Sequence, residues 1–248
     1  MIDISSILLL LGVGIAAGFM NVMAGGGSTI ALPILIFLGL DPSVANGTNR
    51  VAIALQNVSA IASFRQEKYS EFKTSMKMAI FTLPGGIAGA IFAVRISDEL
   101  FQTILGFVMI GVVISMLIPR KKITGEAPAE KTSPWIYAAM FGIGFYGGFI
   151  QVGVGFLLMA AIYNLLKISL ANVNMHKVFV VLVYTIPALV VFILTDNVNW
   201  GLGLALAAGN ATGGWFAAKF SVKKGDKLIR YVLIVAIFIM SLKLLGVF

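Results

Sequence analysis

Long apolar runs with almost no charge constrain this chain more than any other feature of its sequence. Runs such as "MAIFTLPGGIAGAIFAV" and "LFQTILGFVMIGVVISMLI", with their flanks, reach the roughly 18 residues that a helix needs to cross about 30 Å of hydrocarbon. Hydrophobic residues make up 59% of the chain, charged residues 11%, and the mean hydropathy is +1.00, outside the range of soluble domains. Because no alternating strand pattern occurs, the sequence predicts an all-α integral membrane protein.

A polar, basic stretch from Pro119 to Pro134, "PRKKITGEAPAEKTSP", divides the chain into two halves that resemble each other. One constant offset places Gly14 over Gly144 and Gly25 over Gly155. The shared order of features is a Gly-rich tip, a polar loop ending in a cation, and a small-xxx-small helix. We therefore predict a first transmembrane repeat at 1–118, a cytoplasmic linker at 119–134 and a second transmembrane repeat at 135–248.

Each repeat is predicted to contain two short apolar segments, forming a re-entrant helical hairpin around the tip, and then three transmembrane helices. The second short segment has about ten residues, or roughly 15 Å of helix, which is too little to cross a bilayer alone. The predicted segments of the first half are Ile7 to Val22, Thr29 to Leu38, Val51 to Phe64, Ser75 to Val94 and Leu100 to Ile118.

The Lys and Arg residues of the loops predict the orientation, because cations favour the cytoplasmic side. "RQEKYSEFK", the linker and "KFSVKKGDK" are expected inside, whereas "RISDEL" and "TDNVNW" are expected outside. These assignments agree only if each hairpin enters and returns on one side, which places both termini outside and makes the repeats inverted. Hairpins that enter from opposite faces would bring the two tips together near the midplane.

Charge and missing motifs exclude several functions. The ten acidic residues all fall in or beside predicted loops or termini, whereas cation carriers keep carboxylates within their spans. The net charge of +8 is interpreted as a topology signal in the loops, so no nucleic acid is expected as a partner. The chain has no Cys, H-E-x-x-H, G-x-S-x-G or Walker A sequence. We therefore predict no enzyme, no cofactor and no metal.

The sequence "AGGGST" at the first tip is a candidate site for an anionic substrate. Gly25, Gly26 and Gly27 lack side chains, so their backbone N–H groups can face a cavity. A helix that begins at about Ser28 adds its positive end, together with the hydroxyl groups of Ser28 and Thr29.

The second tip, "QVGVGF", offers Gly153 and Gly155 for the same purpose, without a hydroxyl. Asn21 and Gln151 match each other just before the tips, where an amide can either donate to an anion or hold the tip backbone. The alternative for every glycine is close helix packing. That role is expected of Gly85, Gly89, Gly209 and Gly213.

Two cations occupy matching places in the two halves. Arg50 and Lys177 lie at the predicted starts of the third segments, where they either snorkel to lipid headgroups or form an anion-attracting gate on each face. Asn49 precedes Arg50, and His176, the only histidine, precedes Lys177. His176 is either a satisfied structural group or a group that contacts substrate or carries a proton.

The stretch from Gly14 to Arg50, "GIAAGFMNVMAGGGSTIALPILIFLGLDPSVANGTNR", resembles the signature of the sulfite exporter TauE/SafE family of membrane permeases. "GIGFYGGFIQVGVGF" and "LANVNMHK" resemble the weaker second repeat of that family, so the resemblance covers essentially the whole chain. It implies a multi-pass permease of the cytoplasmic (inner) membrane of a prokaryote, for sulfite, sulfoacetate or related organosulfonates. Because the second tip lacks the triple glycine, the first tip is expected to be the main substrate contact.

These observations together predict a secondary transporter that exports a small sulfur-containing anion by alternating access. The expected partners are that anion, alone or with a proton carried by the substrate or by His176, and the lipid bilayer, with the protein a monomer or a homodimer. Alternatives that remain open are an anion channel, a permease for another organic anion such as a carboxylate, and a membrane scaffold or partner subunit. A carrier of a neutral solute or a cation is disfavoured by the absence of intramembrane acids.

Overall fold

A computed structural model describes residues 3–117 and 135–244, with side chains as far as 223 except at 109, 112–117, 135 and 136. Every regular element within these ranges is an α-helix, as the sequence predicts. The helices of the first half are α1 Ile4–Met23, α2 Ser28–Phe37, α3 Pro42–Gln66, α4 Phe72–Ala93 and α5 Asp98–Leu117. Those of the second half are α6 Trp135–Phe149, α7 Val154–Leu166, α8 Leu170–Leu194 and α9 Trp200–Leu244. The predicted linker at 119–134 lies outside the described residues.

The two polar loops predicted before the third segments are wrong, because both stretches are helical. "ANGTNR" lies in α3, which starts at Pro42, and "NVNMHK" lies in α8. Pro42 occupies the first turn, where a fixed φ and a missing N–H favour a helix start. Ser169 caps α8 by accepting a hydrogen bond from the N–H of Asn172 at 3.3 Å. Polar residues in these stretches therefore mark a helix face inside the protein rather than a surface loop.

Two segment lengths also differ from the prediction. α1 has 20 residues and is long and apolar enough to cross a membrane, so the first arm of the hairpin is not short. The predicted loop "KFSVKKGDK" lies inside the 45-residue α9, so the second half has two helices after its hairpin instead of three. Lys and Ser do not end a helix, and the single Gly225 costs only about 1 kcal/mol relative to Ala.

In each half, the first helix packs against a helix of the other half. α1 lies along α9, and α6 lies along α4. Glycines make the close approach possible: a Cβ at Gly85 or Gly89 would overlap the carbonyls of Phe141 or Phe145 in α6, and a Cβ at Gly209 or Gly213 would overlap those of Leu11 or Ile15 in α1. The packing role predicted for these four glycines is confirmed.

Polarity is arranged as expected for a membrane protein. Three described helices, α1, α4 and α8, are long and apolar enough to cross a membrane. Large apolar side chains such as Phe37 and Phe107 are exposed, while amides and hydroxyls are buried. Among the described side chains, Arg50 and Lys177 are the buried ions, and no carboxylate is buried. The interior therefore has an excess of positive charge.

Candidate functional site

The tips of the two hairpins meet backbone to backbone, as the sequence predicts. A Cβ at Gly25 would overlap the carbonyl carbon of Gly155, and a Cβ at Gly155 would overlap the Cα of Gly25. Gly25 also has a φ of +92°, which other residues rarely adopt. Glycine is therefore required at both positions, by the contact itself and, at Gly25, by the backbone conformation.

The first tip leaves several backbone donors unused. Within the described residues, the N–H groups of Gly26, Gly27 and Ser28 donate to no acceptor. The hydroxyl of Thr29 bonds at 2.6 Å to the carbonyl of Gly26, so it closes the tip and is not the substrate donor that the sequence suggested. Gly27 packs against α1, where a Cβ would overlap the carbonyl of Ala17.

The second tip also leaves backbone N–H groups unused, although its sequence differs from that of the first. Gly153, with a φ of +72°, precedes α7, and Gln151 also adopts a positive φ. The N–H groups of Val152, Gly153 and Gly155 have no acceptor in the described part of the chain. The Tyr146 hydroxyl donates to the carbonyl of Val152 and holds the turn. The N-terminal ends of α2 and α7 thus converge on one place with free N–H groups.

A small cavity, which we call the tip cavity, lies where the two tips meet. It is narrow, with room along its centre for about one water molecule. Five of its lining residues were predicted from the sequence: Asn21, Ser28, Gln151, Gly155 and Lys177. Four were not: Gln56, Asn57, Val154 and Val181.

Arg50 does not line the tip cavity and does not reach a membrane surface. It is fully buried on α3 and donates to the carbonyls of Gly147, Gly148 and Phe149, at the end of α6. Its guanidinium carbon lies 4.7 Å from the ring centre of Phe192. The snorkelling interpretation of Arg50 is therefore wrong, because the cation is buried and caps the negative end of a helix from the other half.

Lys177 caps the end of α1 in the corresponding way. Its Nζ donates to the carbonyls of Asn21 and Val22 at 3.0 and 2.6 Å, and to Asn174 Oδ1 at 2.9 Å. These three acceptors use all three ammonium protons. Lys177 is only 2% exposed, which excludes snorkelling, yet it lines the tip cavity. It is the only charged residue in that lining.

Asn49 and His176 lie beside the site without lining it. Asn49 Nδ2 donates to Ser28 Oγ at 3.3 Å, so it acts behind Ser28, while its Oδ1 has no partner among the described residues. His176 Nδ1 pairs with Ser75 Oγ at 2.8 Å on α4 and is buried. His176 therefore has a polar partner on α4 and lies outside the cavity lining.

Gln56 and Asn57 were missed because their stretch, "VAIALQNVSA", was interpreted only as a span. An adjacent pair of amides in the middle of an apolar helix was the available signal, since polar groups inside a membrane are costly and kept for function. Asn21 Nδ2 and Asn210 Nδ2 both donate to Gln56 Oε1, at 3.2 and 3.4 Å. Amides from α1, α3 and α9 are thereby joined beside the tip cavity.

An apolar helical protein with a narrow polar cavity between two helix tips has the form of a membrane transporter. The comparisons agree: the model of the sulfite exporter TauE/SafE family matches residues 10–244. The chain therefore belongs to the TauE/SafE family and is a membrane transporter.

Relatives of similar length have corresponding names. A probable membrane transporter protein of Haemophilus influenzae is 26% identical over 98% of this chain and 96% of its own length. The probable membrane transporter protein YfcA of Escherichia coli is 28% identical over 96% of this chain and 90% of its own length. ORF9 of a Sinorhizobium species, also named a probable membrane transporter protein, is 26% identical over 93% and 88%. No solved structure matches the chain.

Proposed function

We propose that this protein is a secondary transporter that exports a small sulfur-containing oxyanion, such as sulfite or sulfoacetate, across the inner membrane of a prokaryote. The observation that carries the proposal is the composition of the tip cavity, which holds Lys177, a serine hydroxyl and four amide side chains but no carboxylate. The family description names sulfite as the substrate of the group. A sulfite or sulfonate group offers several acceptor oxygens to such a set of donors.

The donors of the tip cavity suit an anion better than a zwitterion. Ser28 Oγ accepts from Asn49 and keeps its own proton for a ligand. The free N–H groups of both tips add donors that carry the positive end of a helix dipole. An ammonium group, as in taurine, would find no carboxylate among the cavity residues. We therefore expect organosulfonates without an amine to bind more tightly than taurine.

Substrate binding would act on the first hairpin through Lys177. All three of its protons are given to Asn174 and to the end of α1, so an anion in the cavity competes with those carbonyls for the ammonium. A substrate that draws Lys177 away weakens the cap on α1 and favours movement of that hairpin. This competition links binding to the opening step of an alternating-access cycle.

The matching contacts of α1 with α9 and of α6 with α4 support an internal repeat, which we take to be inverted. The loop charges of the first half place its N-terminal end outside and the linker inside. Because His176 is bonded to Ser75 and does not line the cavity, a coupled proton would travel with the substrate. We expect the carrier to work as a monomer or as a homodimer.

Flux measurements in proteoliposomes test the proposed function. Purified protein should move sulfite and sulfoacetate at rates that saturate, respond to an imposed pH gradient, and be inhibited weakly by taurine. Acetate serves as the carboxylate comparison and protein-free liposomes as the control. Single-channel currents would contradict the carrier, a preference for acetate would contradict the sulfur oxyanion, and indifference to the pH gradient would contradict proton coupling.

A further inference from the structure

Gln56 is the least expected residue of the tip cavity, because it lies within the apolar part of α3 and is only 1% exposed. Its stem is held in place by α9: a Cβ at Gly214 would approach Gln56 Cγ to 2.8 Å, so only glycine leaves room for it. A side chain clamped in this way has a fixed rotamer and points its amide in one direction.

The two ends of the Gln56 amide have different surroundings. Oε1 accepts from Asn21 Nδ2 and from Asn210 Nδ2, which fills both of its acceptor positions. Nε2 makes no hydrogen bond within the described residues, and it is not among the fully enclosed side-chain atoms that lack a partner, so it keeps some accessible surface. Because Gln56 lines the tip cavity, a ligand or a water molecule there can satisfy this donor.

The geometry points to Gln56 as a binding residue that donates its Nε2 protons to the transported oxyanion and sets the charge selectivity of the tip cavity. This inference rests on the proposed function. Asn21 and Asn210 act as positioning residues, because by donating to Oε1 they fix which end of the amide faces the cavity. The ligand class is an oxyanion with several acceptor atoms, bound between the Gln56 amide and the Lys177 ammonium.

Gln56→Glu separates this role from a structural one. A carboxylate keeps an acceptor for Asn21 and Asn210, so the bonds between α1, α3 and α9 survive. The same change replaces the donor that faces the cavity by a negative oxygen. Burying the carboxylate costs stability in either case, so the quantity that separates a ligand donor from a structural glutamine is sulfite affinity per folded molecule.

The experiment measures binding of sulfite to the purified full-length protein by thermal shift, and sulfite flux in proteoliposomes. Gln56→Glu should unfold at a lower temperature than the wild type, because its carboxylate is buried, and should lose about a hundredfold or more in sulfite affinity per folded molecule, because like charges at a binding site repel. Gln56→Met removes the donor without adding charge and should lose roughly tenfold. Gln66→Glu, at the exposed end of the same helix, is the matched control and should bind as the wild type does.

Each other outcome has a definite meaning. Wild-type sulfite affinity in Gln56→Glu or in Gln56→Met would overturn the role of Gln56 and leave the proposed function standing. If Gln56→Glu fails to fold because its carboxylate is buried, the Met variant decides whether the amide contacts the anion. A wild-type protein that neither binds nor moves sulfite or sulfoacetate would overturn both proposals.

Discussion

The buried cations Arg50 and Lys177 each cap a helix end in the opposite half, but only Lys177 also lines the tip cavity. Each lies on the third helix of its half and caps the first helix of the other half, with an asparagine beside it, Asn46 or Asn174. Arg50 is sealed between the end of α6 and the ring of Phe192, while Lys177 also faces the tip cavity. One cap is therefore closed to a ligand and the other is open to it.

The chemistry of the two side chains fits this division. A guanidinium is planar, holds several donors in a fixed fork and suits a permanent contact with three carbonyls. An ammonium is a compact charge on a flexible stem, which can leave one set of acceptors for another. The comparison teaches that the second half holds the first hairpin with the more easily exchanged cation, at the position where a substrate anion would arrive.

The largest effect is expected from Arg50→Met. Loss of the guanidinium leaves the carbonyls of Gly147, Gly148 and Phe149 buried without their donor. The free energy of unfolding, measured by denaturant titration in detergent micelles, should therefore fall by about 3–5 kcal/mol. Arg50→Lys keeps the charge but has fewer donors, so its free energy of unfolding should lie between those of Arg50→Met and the wild type. If Arg50→Met lowers the free energy of unfolding by less than about 1 kcal/mol, the cap does not stabilise the fold.

Lys177→Met should have a smaller effect on stability and a larger one on transport. Two hydrogen bonds to the end of α1 and one to Asn174 are lost, so we expect about 2–3 kcal/mol less stability. Loss of the only cavity charge should also lower sulfite affinity per folded molecule at least roughly tenfold, or about 1.4 kcal/mol.

Proteoliposome flux, normalised to folded protein, checks the Lys177 prediction. Arg50→Lys is the control, since it should keep the sulfite affinity of the wild type despite its lower stability. If the Arg50 and Lys177 variants lose affinity equally, the division between a closed and an open cap is wrong.

The smallest effects are expected from the two asparagines. Asn46 donates to the carbonyl of Phe149 at 2.7 Å, and Asn174 donates to that of Met23 at 3.4 Å. Each change to alanine should cost about 1–2 kcal/mol of unfolding free energy, with Asn174→Ala the larger because it also removes the 2.9 Å bond from the Lys177 ammonium. Asn164→Ala, at an exposed position on α7, should change little. Thermal unfolding in detergent decides the order, and a larger loss in Asn46→Ala would contradict it.

Most of the helices and the meeting of the tips were predictable from local features. Apolar runs of span length with Gly-rich interruptions allow few other arrangements in a membrane. The four packing glycines were recognised because their i+4 spacing is a pattern within one helix. Gly25 and Gly155 were recognised because they occupy matching places in the two halves.

The partners of the polar residues were not predictable in this way. Arg50 finds its acceptors 97 to 99 residues away in the sequence, and no local pattern connects the two places. The polar stretches before Arg50 and Lys177 were interpreted as loops because their polarity suggests a surface, but their side chains point into the protein. The prediction of a loop at "KFSVKKGDK" was wrong for a different reason. Its charges suggested a loop, but it contains no residue that must end a helix.

A helical membrane protein with two glycine tips and no acidic residue in its spans could be deduced from the amino-acid sequence, because hydrocarbon requires every backbone group to be satisfied within a helix. The roles of Arg50 as a cap, of Lys177 as both a cap and a cavity residue, and of Gln56 as a cavity residue emerged from the folded structure. Buried charges and amides act through whichever carbonyl or amide lies within about 3 Å, and that neighbour is fixed by the packing of one half against the other.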